Sequence, residues 1–503
     1  MICLFRLILA RLILLKFCYD QVVALDNFNI YGPGLNPEFN LHVRYFFIKV
    51  LNISKPGTNI TKNYFQIKFY EDANNEPISI RQEILDRHDG VFIIRFKIYK
   101  SYQNLLISIK DPNGNHLDKS PYHLKGYISP DNCECIENDV ERWYESLQCN
   151  QTYPQIDKDL EKFSRSKLDM NKLGKTIINK YNQKYSQAFC NYVIKNNQVY
   201  RKCYGEHIGF NTFSDNIFNS LVRKVKIPDV EFFMNLGDWP LNEKSQNILL
   251  PIISWCGSTD SNDMILPTYD LTESTLEMMG RQSLDIMTVF ENSLPDWNEK
   301  INRTFWRGRD SRRERLDLID MSRENPDLID AGLTNLFFFR EPEHIKKYGQ
   351  LYHRTSFFDF FKYKYQINMD GTVAAYRFPY LISGNSLVLK QESKFYEHFY
   401  RDLKPYEHYV PFKKDLSDLK EKIEWVMSND EKVRKIAVNA QNYAKEYLMP
   451  NHIFCYHVKF FMAYSKLLVS KVVIRDEMER VTQPNSINCV CDKQSQKNDK
   501  AEL

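Results

Sequence analysis

The segment 365–393 constrains the fold more than any other stretch, because it has the pattern of a strand–turn–helix–strand unit. Residues 365–369 form an apolar run that predicts a buried strand, and an Asp-Gly pair ends it. Residues 372–378 predict a helix that stops near Pro379, and residues 386–389 predict a second buried strand. Strands joined by such a helical connection lie parallel. The segment therefore indicates an α/β domain.

The start of this predicted helix is suited to binding an anion. The first N–H groups of a helix have no partner within the helix and favour a phosphate. Gly371, Ala374 and Ala375 are small enough to let a ligand approach the backbone, and Arg377 offers a planar guanidinium for phosphate oxygens. The pattern allows either a nucleotide-sugar pocket or a structural unit with an exposed arginine. In the first case, the helix beginning near Thr372 faces a diphosphate and Arg377 lies within its reach.

Both ends of the chain carry targeting patterns. Residues 1–24 contain an apolar run interrupted by arginines and followed by small residues, which predicts a cleaved signal peptide. Residues 481–503 form a polar tail that is predicted to be flexible, and its last four residues, from Lys500 to Leu503, resemble the retrieval signal of the endoplasmic reticulum. The expected location is the endoplasmic reticulum lumen, with a retrieval receptor as a partner. No later segment has transmembrane length, so no membrane span is expected.

Cysteines and glycosylation triplets fit a secretory compartment. Of 11 cysteines, two lie in the predicted signal peptide, so an odd number remains. An oxidising compartment would pair most of these and leave one free, and their spacing favours disulfides over a metal site. The net charge of +4 is too small to indicate nucleic-acid binding. N-glycosylation is predicted at Asn52, Asn59, Asn150 and Asn302.

Two folded domains are predicted between the ends. Residues 25–130 contain β-branched and aromatic runs separated by turn signals, which predict an all-β, immunoglobulin-like sandwich, and their Gly-Pro-Gly start resembles a filamin-type repeat. Residues 131–480 alternate strand-like and helical stretches, which predicts an α/β domain. Within it, residues 335–339 predict a strand and residues 417–448 predict a long, packed outer helix.

A carboxylate follows the predicted strand 230–236. The strand ends at Gly237, and Asp238 comes next, beside Trp239. A carboxylate at the end of a strand is well placed to act as a general base on an alcohol, and burial beside an aromatic ring would raise its pKa. The same pattern is also typical of an Asp that caps a turn before Pro240.

Arginines crowd the segment 305–315. Ser311 and Glu314 form a capping-box pattern, which predicts that a helix starts at Ser311. Several guanidinium groups would then lie at a strand-to-helix turn, where they could bind a diphosphate and stabilise the charge of a leaving group. A solvated basic helix is the alternative, although Trp306 and Gly308 favour a tight, packed turn.

In this order, the segments 235–240, 306–315 and 370–378 resemble the protein O-glucosyltransferases of the endoplasmic reticulum. The filamin-like domain in front makes the chain most similar to the members that carry a KDEL-type motif. Further segments that carry this resemblance are 255–260, 357–361 and 396–400. The resemblance covers nearly the whole chain after the signal peptide. It implies a GT-B fold, in which two Rossmann-like lobes flank a cleft.

The resemblance implies transfer of glucose from UDP-glucose to a serine of EGF-like repeats, with inversion and without a metal or another cofactor. Proteins with such repeats, of the Notch or fibrillin type, are then the expected partners. Transfer of xylose from UDP-xylose is an alternative, because a pocket discriminates one hydroxymethyl group only modestly. An alternative of another class is a non-catalytic lumenal protein that binds glycoproteins in the manner of a chaperone.

The resemblance also implies roles for individual residues. Asp238 matches the catalytic base, and Arg315 matches the arginine that binds the diphosphate of the donor. Arg309 falls at a donor-binding position that is a serine in the better-known family member. The other residues expected to bind the donor are Arg307, Thr372, Val373, Ala374, Ala375, Tyr376 and Arg377. Those expected to bind the acceptor are Trp239, Pro267, Thr268 and Tyr269.

Overall fold

The computed structural model describes the greater part of the chain, namely residues 27–51, 60–71, 76–279, 284–482 and 489–491. The predicted signal peptide, Asn52, Asn59 and the retrieval-like tetrapeptide lie outside the described residues. The described residues divide into two compact units. The first contains the residues up to Cys135 together with 146–148 and 489–491, and the second contains the others.

The first unit is all-β, as the sequence predicts. Its strands are β1 (Phe28–Tyr31), β2 (Arg44–Val50), β3 (Gln66–Glu71), β4 (Arg81–Asp86), β5 (Val91–Lys97), β6 (Tyr102–Lys110) and β7 (Tyr122–Ile128). They form one sheet in the order β1-β2-β5-β4 and another in the order β3-β6-β7. Side chains alternate across the strands, so that Ile67 and Phe69 of β3 enter a shared core while Gln66 and Lys68 face solvent. The unit is therefore a two-sheet sandwich.

Two disulfides tie part of the C-terminal tail to this unit. Cys133 is bonded to Cys489, and Cys135 is bonded to Cys491. The backbone of Val490, between them, also makes hydrogen bonds with two serine side chains of the sandwich. The prediction of a flexible tail is wrong for these three residues, because covalent bonds hold them in place.

Two sheets organise the second unit. Its strands are β8 (Phe189–Lys195), β9 (Gln198–Tyr204), β10 (Val230–Asn235), β11 (Ile252–Ser254), β12 (Gly257–Ser258), β13 (Met264–Ile265), β14 (Ile301–Arg309), β15 (Ile329–Asn335), β16 (Tyr363–Asn368), β17 (Leu387–Gln391), β18 (Phe395–Tyr396), β19 (Val410–Phe412) and β20 (Glu479–Arg480). The mixed sheet has the order β13-β11-β10-β8-β9-β20, and the second sheet has the order β15-β14-β16-β17-β19. Each pair of neighbours in the second sheet is parallel. The short strands β12 and β18 pair with each other.

Helices pack around these sheets, as an α/β domain requires. The described α-helices are α1 (Val140–Leu147), α2 (Pro154–Glu161), α3 (Met170–Tyr181), α4 (Asn211–Val222), α5 (Tyr269–Leu276), α6 (Ile286–Glu291), α7 (Arg313–Glu324), α8 (Pro342–Tyr348), α9 (Phe378–Ser383), α10 (Leu419–Ser428), α11 (Asp430–Tyr447) and α12 (Pro450–Ser465). None of the helices in the described part of the chain is long and apolar enough to cross a membrane.

The strand–turn–helix–strand unit is present, but its helix lies elsewhere in the segment. Strands β16 and β17 are parallel neighbours, which confirms the prediction of two parallel strands. The helix between them starts at Phe378, where the sequence predicts its end, and Pro379 stands in its first turn. The first turn tolerates proline because its N–H would have no helical partner there. Pro379 therefore opens the helix, and residues 371–377 form a loop.

Two other predicted elements differ from the structure. The long helix predicted over 417–448 is present as α10 and α11, which are separated at Asn429 and pack on the core of the second sheet. The strand predicted over 335–339 is wrong, because β15 ends at Asn335. The next backbone N–H groups donate to the carboxylate of Asp310 rather than to a neighbouring strand.

The cysteines of the second unit bear out the expectation of disulfides with one free thiol. Cys190 and Cys203 join the neighbouring strands β8 and β9, and Cys256 is the free, buried cysteine among the described residues. The disulfide between Cys149 and Cys455 spans 306 residues and fastens α12 to the start of the unit. Because a cross-link over a long loop restricts the unfolded chain strongly, this disulfide should contribute more to stability than the one between Cys190 and Cys203.

We therefore expect the double variant Cys149→Ser/Cys455→Ser to lose roughly 2–5 kcal/mol of stability. The measurement is the urea midpoint of the unfolding transition, recorded without a reducing agent so that the other disulfides stay intact. The matched variant Cys190→Ser/Cys203→Ser removes a cross-link over a separation of only 13 residues and should lower the stability less. An equal or larger loss in that second variant would contradict the loop-length argument.

Candidate active site

The loop that carries Asp238 is fixed by the side chain of Asn235, which is fully buried at the end of β10. The Nδ2 group of Asn235 donates to the carbonyl of Trp239 at 2.7 Å, and its Oδ1 atom accepts from the N–H of Gly237 at 3.0 Å. A Cβ added at Gly237 would lie 2.2 Å from Cδ of Gln187, so a larger residue here would force that side chain to move. The sequence thus places a carboxylate on a short, closed loop at the carboxyl end of a strand.

Asp238 is half-buried, and its surroundings affect its pKa in two opposite directions. Burial raises the pKa of the Asp238 carboxyl above its usual range. The Arg309 guanidinium acts against this rise, and the Tyr376 hydroxyl acts in the same direction as Arg309. A carboxylate with a raised pKa and a nearby exposed arginine is suited to accept a proton.

The pH profile of catalysis should report this pair. Removing a positive charge disfavours the carboxylate form, so Arg309→Met should raise the pKa of Asp238 further and move the acid limb of kcat/KM to higher pH. The profile of purified wild type and variant, measured from about pH 4 to 8 with a single acceptor, checks this shift. Arg354→Met, which changes another exposed arginine, serves as the control and should leave the limb in place. An unchanged acid limb in Arg309→Met would contradict the influence of Arg309 on the ionisation of Asp238.

Of the residues expected to contact an acceptor, some are accessible and others are buried. The ring of Trp239 is 47% exposed beside Asp238 and packs edge-on against Phe395. Pro267 and Thr268 are buried, so of the predicted segment 267–269 only Tyr269 presents a partly exposed side chain.

Tyr269 joins an aromatic cluster that extends to Tyr376, one of the residues expected to bind the donor. Its ring packs against Tyr376 at 5.4 Å and against Phe210, an exposed residue that the sequence argument missed, at 5.6 Å. The other rings in contact with Tyr269 are Phe213 and Trp255. Phe210 lies outside the motifs considered above, and only the tertiary structure brings it to this cluster.

Arg315 is buried at the first turn of α7. Its guanidinium donates to three backbone carbonyls, those of Asp370, Arg309 and Met369, at 2.8, 2.9 and 3.1 Å. Its other face lies against the ring of Trp306. Burial and the neighbouring arginines lower the pKa of Arg315, although an arginine stays protonated at neutral pH.

Arg312 completes the contact between α7 and the loop 371–377. Its guanidinium donates to the carbonyls of Gly371 and Thr372. The sequence argument named the arginines on either side of Arg312 but not this one. The sequence feature that could have indicated Arg312 is its place in the arginine run, directly before the helix.

Positive charge exceeds negative charge around this turn. Arg309, Arg312 and Arg377 lie close enough to lower the pKa of Arg315, and the Asp370 carboxylate acts in the opposite direction. Like charges are brought together at a cost that a bound anion would offset. The arrangement is therefore suited to a diphosphate, which guanidinium groups bind in a planar, forked geometry.

Ser311 supplies a second indication of a ligand. Its hydroxyl is buried and has no hydrogen-bond partner among the described residues. The capping-box prediction is wrong here, because α7 starts at Arg313 and no side chain caps it. A Cβ placed on Gly371 would lie 3.9 Å from the Ser311 Oγ atom and 3.4 Å from Arg315, so the hydroxyl and the loop adjoin the arginines. A buried polar atom without a partner often marks a place where a ligand binds.

The loop 371–377 contacts this turn, but not by the predicted means. The short helix α9 is entirely buried, so the expected role of a helix N-terminus at Thr372 is wrong. Val373, Ala374, Ala375 and Tyr376 are buried, whereas Thr372 is partly exposed. Anion binding in this part of the site must therefore rely on guanidinium groups and on the loop backbone.

Arg377 and Arg307 are held by other groups. Arg377 is only partly exposed, and its Nη1 group donates to the carbonyl of Arg307 at 2.6 Å. The side chain of Arg307 turns away and forms a 2.7 Å ion pair with Asp330, with Tyr352 stacked on its guanidinium. Arg307 therefore contacts the predicted donor-binding residue Arg377 through its backbone carbonyl, while its guanidinium is held by Asp330 and Tyr352.

Two carboxyls near the site have raised pKa values. Burial raises the pKa of Glu397 to about 8, and Asp270 adds to this rise. Burial also raises the pKa of Asp270 to about 6, and Glu273 and Asp238 add to that rise. Glu397 accepts a hydrogen bond from the Tyr400 hydroxyl, while its Oε2 atom has no partner among the described residues. Glu397 belongs to the segment 396–400, which carries part of the sequence resemblance. At neutral pH this group is largely protonated, so it adds little negative charge to the site.

A separate cavity of about 250 Å³ lies along the edge strand β15. Arg303, Arg323 and the ring of Tyr352 are among the residues that line it. It offers positive charge and an aromatic wall, but Asp238 and Arg315 are not among its lining residues. It is thus a competing location for an anionic ligand.

Comparison with known proteins defines the class of the chain. Residues 144–502 match the model of glycosyl transferase family 90. The chain belongs to this family and is a glycosyltransferase.

Its relatives include protein O-glucosyltransferases from several vertebrates. The chain is 48% identical to protein O-glucosyltransferase 2 of Danio rerio over 473 residues, which cover 92% of each chain. It is 43% identical to protein O-glucosyltransferase 3 of Homo sapiens over 493 residues, which cover 96% of each chain. Protein O-glucosyltransferase 1 of Homo sapiens is 29% identical over 266 residues, covering 51% of this chain and 67% of that one.

Proposed function

We propose that this chain is an inverting, metal-independent protein O-glucosyltransferase. It transfers glucose from UDP-glucose to a serine hydroxyl in EGF-like repeats of secretory-pathway proteins. The names of the relatives support glucosylation of a protein. The observation that carries the proposal is the placement of Asp238, with its raised pKa, near Arg309 and the arginines at the start of α7.

Asp238 acts as the general base in this reaction. The serine Oγ atom attacks the anomeric carbon of glucose, and Asp238 takes the hydroxyl proton as the new C–O bond forms. The bond between the anomeric carbon and the diphosphate oxygen breaks, and its electron pair leaves with UDP. A single displacement of this kind inverts the configuration at the anomeric carbon.

Arg315 and Arg312 hold the diphosphate and balance the negative charge that grows on it. Such groups accelerate the reaction only if they bind the departing UDP more strongly than the intact donor. Arg315 is preorganised by three carbonyls, so it need not reorganise as charge develops. In this proposal, guanidinium groups supply the positive charge that a metal ion supplies in other transferases.

The architecture and location belong to the same proposal. The mixed and the parallel sheet would be the two Rossmann-like lobes of a GT-B fold, and the sandwich would be a filamin-type repeat that positions an acceptor. Four disulfides among the described residues support an oxidising compartment, here the endoplasmic reticulum lumen. Asn150 and Asn302 are exposed, which supports their glycosylation. The tail from Lys500 to Leu503 would bind a retrieval receptor.

Two other functions compete with this one. UDP-xylose differs from UDP-glucose by one hydroxymethyl group, so a xylosyltransferase would use the same base and the same arginines. A non-catalytic lumenal protein that binds glycoproteins would not need the paired placement of Asp238 and the arginines.

A donor panel distinguishes these functions. One folded EGF-like repeat with a single serine is incubated with the protein and either UDP-glucose or UDP-xylose, and the product is weighed by mass spectrometry. Addition of one hexose with UDP-glucose is the expected result. A pentose in preference to a hexose would assign the xylosyltransferase, and no addition from either donor would favour the binding protein.

A further inference from the structure

A buried ring that the proposed reaction does not use contacts two parts of the candidate site. Phe395, on the short strand β18, is 3% exposed. The ring of Trp239, the neighbour of Asp238, packs edge-on against it with the ring centres 5.6 Å apart. The guanidinium of Arg312 lies 5.3 Å from the centre of the Phe395 ring. One side chain therefore contacts both the residue beside the proposed base and an arginine proposed to hold the diphosphate.

The Phe395 ring also packs against the loop 371–377. Arg312 donates to two backbone carbonyls of this loop, so the guanidinium and the loop are held together. Because buried side chains are close-packed, a change in the position of the ring is felt by the groups around it. The side chains of this loop that share a buried cluster with Phe395 are those of Val373, Ala374 and Tyr376.

Hydrogen bonds fix the backbone of Phe395 to the same part of the site. Its N–H group donates to the Ser393 hydroxyl at 2.9 Å, and this hydroxyl donates to the carboxylate of Asp370. The carbonyl of Asp370 accepts from the Arg315 guanidinium at 2.8 Å. A continuous series of bonds thus connects the residue that carries the ring to the second arginine proposed to hold the diphosphate.

The reaction needs such a connection, because its two charged groups lie on different elements. Asp238 follows β10, whereas Arg312 precedes α7. An error of about 1 Å in the relative position of reacting groups can lower a rate about 100-fold. Arg309 lies near Asp238, but its side chain is exposed and keeps many rotamers. The buried, planar ring of Phe395 has far less freedom and is better suited to set this distance.

We propose that Phe395 is a positioning residue, a proposal that rests on the proposed function. Its ring sets the placement of Trp239, and with it the Asp238 loop, relative to Arg312 and the bound diphosphate. Phe395 takes no proton and acts only through the residues that it contacts. Because the same ring contacts both sides, a diphosphate that binds Arg312 also alters the surroundings of the Trp239 ring.

The variant Phe395→Leu tests the kinetic part of this role. Leucine stays apolar but lacks the ring, so kcat should fall roughly tenfold or more, while the dissociation constant of UDP stays within about threefold. Phe395→Tyr keeps the ring and should restore most of kcat. The control is Phe461→Leu on α12, which removes a buried ring that packs against Phe218 and Phe232. It should lower Tm but leave kcat within about twofold.

A spectroscopic measurement tests the link itself and needs no sugar transfer. Protein labelled with 5-fluorotryptophan gives one fluorine NMR signal for each tryptophan, and the signal of Trp239 is identified by its loss in Trp239→Phe. Addition of UDP should shift this signal in the wild type and in Phe395→Tyr. In Phe395→Leu the shift should be absent, because the ring that connects Arg312 to Trp239 is gone.

Three results would overturn the positioning role. The first is a folded Phe395→Leu protein with the kcat of the wild type. The second is an equal fall of kcat in Phe461→Leu, which would make lost stability the cause. The third is a Trp239 signal that ignores UDP in the wild type or still shifts in Phe395→Leu. A wild type that transfers no sugar but shows a shift dependent on Phe395 would reject only the proposed function.

Discussion

Replacing Asp238 by Asn is expected to lower kcat by about 10²–10⁴-fold, the usual contribution of a general base. The amide keeps the size of the side chain but cannot take the serine proton. Affinity for UDP should hardly change, because the arginines that would bind the diphosphate lie at the start of α7 and not on the Asp238 loop. Initial rates of UDP release with one folded repeat, together with calorimetry for UDP, measure both effects.

The matched control for this variant is Asp260→Asn. Asp260 is an exposed carboxylate of the same unit that pairs with Lys394, and its loss should leave kcat unchanged. Thermal unfolding of both variants shows whether the fold survives. Substantial transfer by a folded Asp238→Asn protein would remove Asp238 from the role of base.

Arg315→Lys should raise the dissociation constant for UDP at least tenfold. A lysine keeps the charge but cannot reach the carbonyls of Asp370, Arg309 and Met369 at once, and it loses the planar fork. Hydrogen bonds to charged groups contribute about 1.5–3 kcal/mol each, so the variant should also be less stable. Calorimetry with UDP and a thermal unfolding curve check the two expectations.

Arg323→Lys on the same helix is the control for helix and charge effects. Its guanidinium donates to the carbonyl of Lys347, away from Arg315, and the substitution should leave UDP affinity unchanged. A folded Arg315→Lys protein with wild-type affinity for UDP would contradict the assignment of Arg315 to the diphosphate.

The sequence predicted best those features that depend on local pattern. Apolar runs located the parallel strands β16 and β17 and the sandwich strands, because alternation and β-branched residues mark strands directly. Errors arose where a distant residue determines the local structure. The Asp310 carboxylate accepts hydrogen bonds from the N–H groups that would otherwise have extended β15. No pattern within 335–339 indicates this distant carboxylate.

The helix boundaries failed for a similar reason. Pro379 is compatible with either end of a helix, and the choice depends on how the loop 371–377 packs against Arg312 and Arg315. Ser311 fits a capping box, yet its hydroxyl stays unpaired beside the arginines. The sequence therefore predicted candidate groups for the site, while their hydrogen-bond partners and the loop backbone required the tertiary structure.

The structure of the complex with UDP tests the central claim most directly, because it shows where the donor binds. The predicted result is a diphosphate within hydrogen-bond distance of Arg315 or Arg312 and next to the loop 371–377. Its terminal phosphate, to which glucose is attached in the donor, should point toward Asp238. A diphosphate in the cavity along β15, against Arg303 and Arg323, with the turn at α7 empty, would contradict the account.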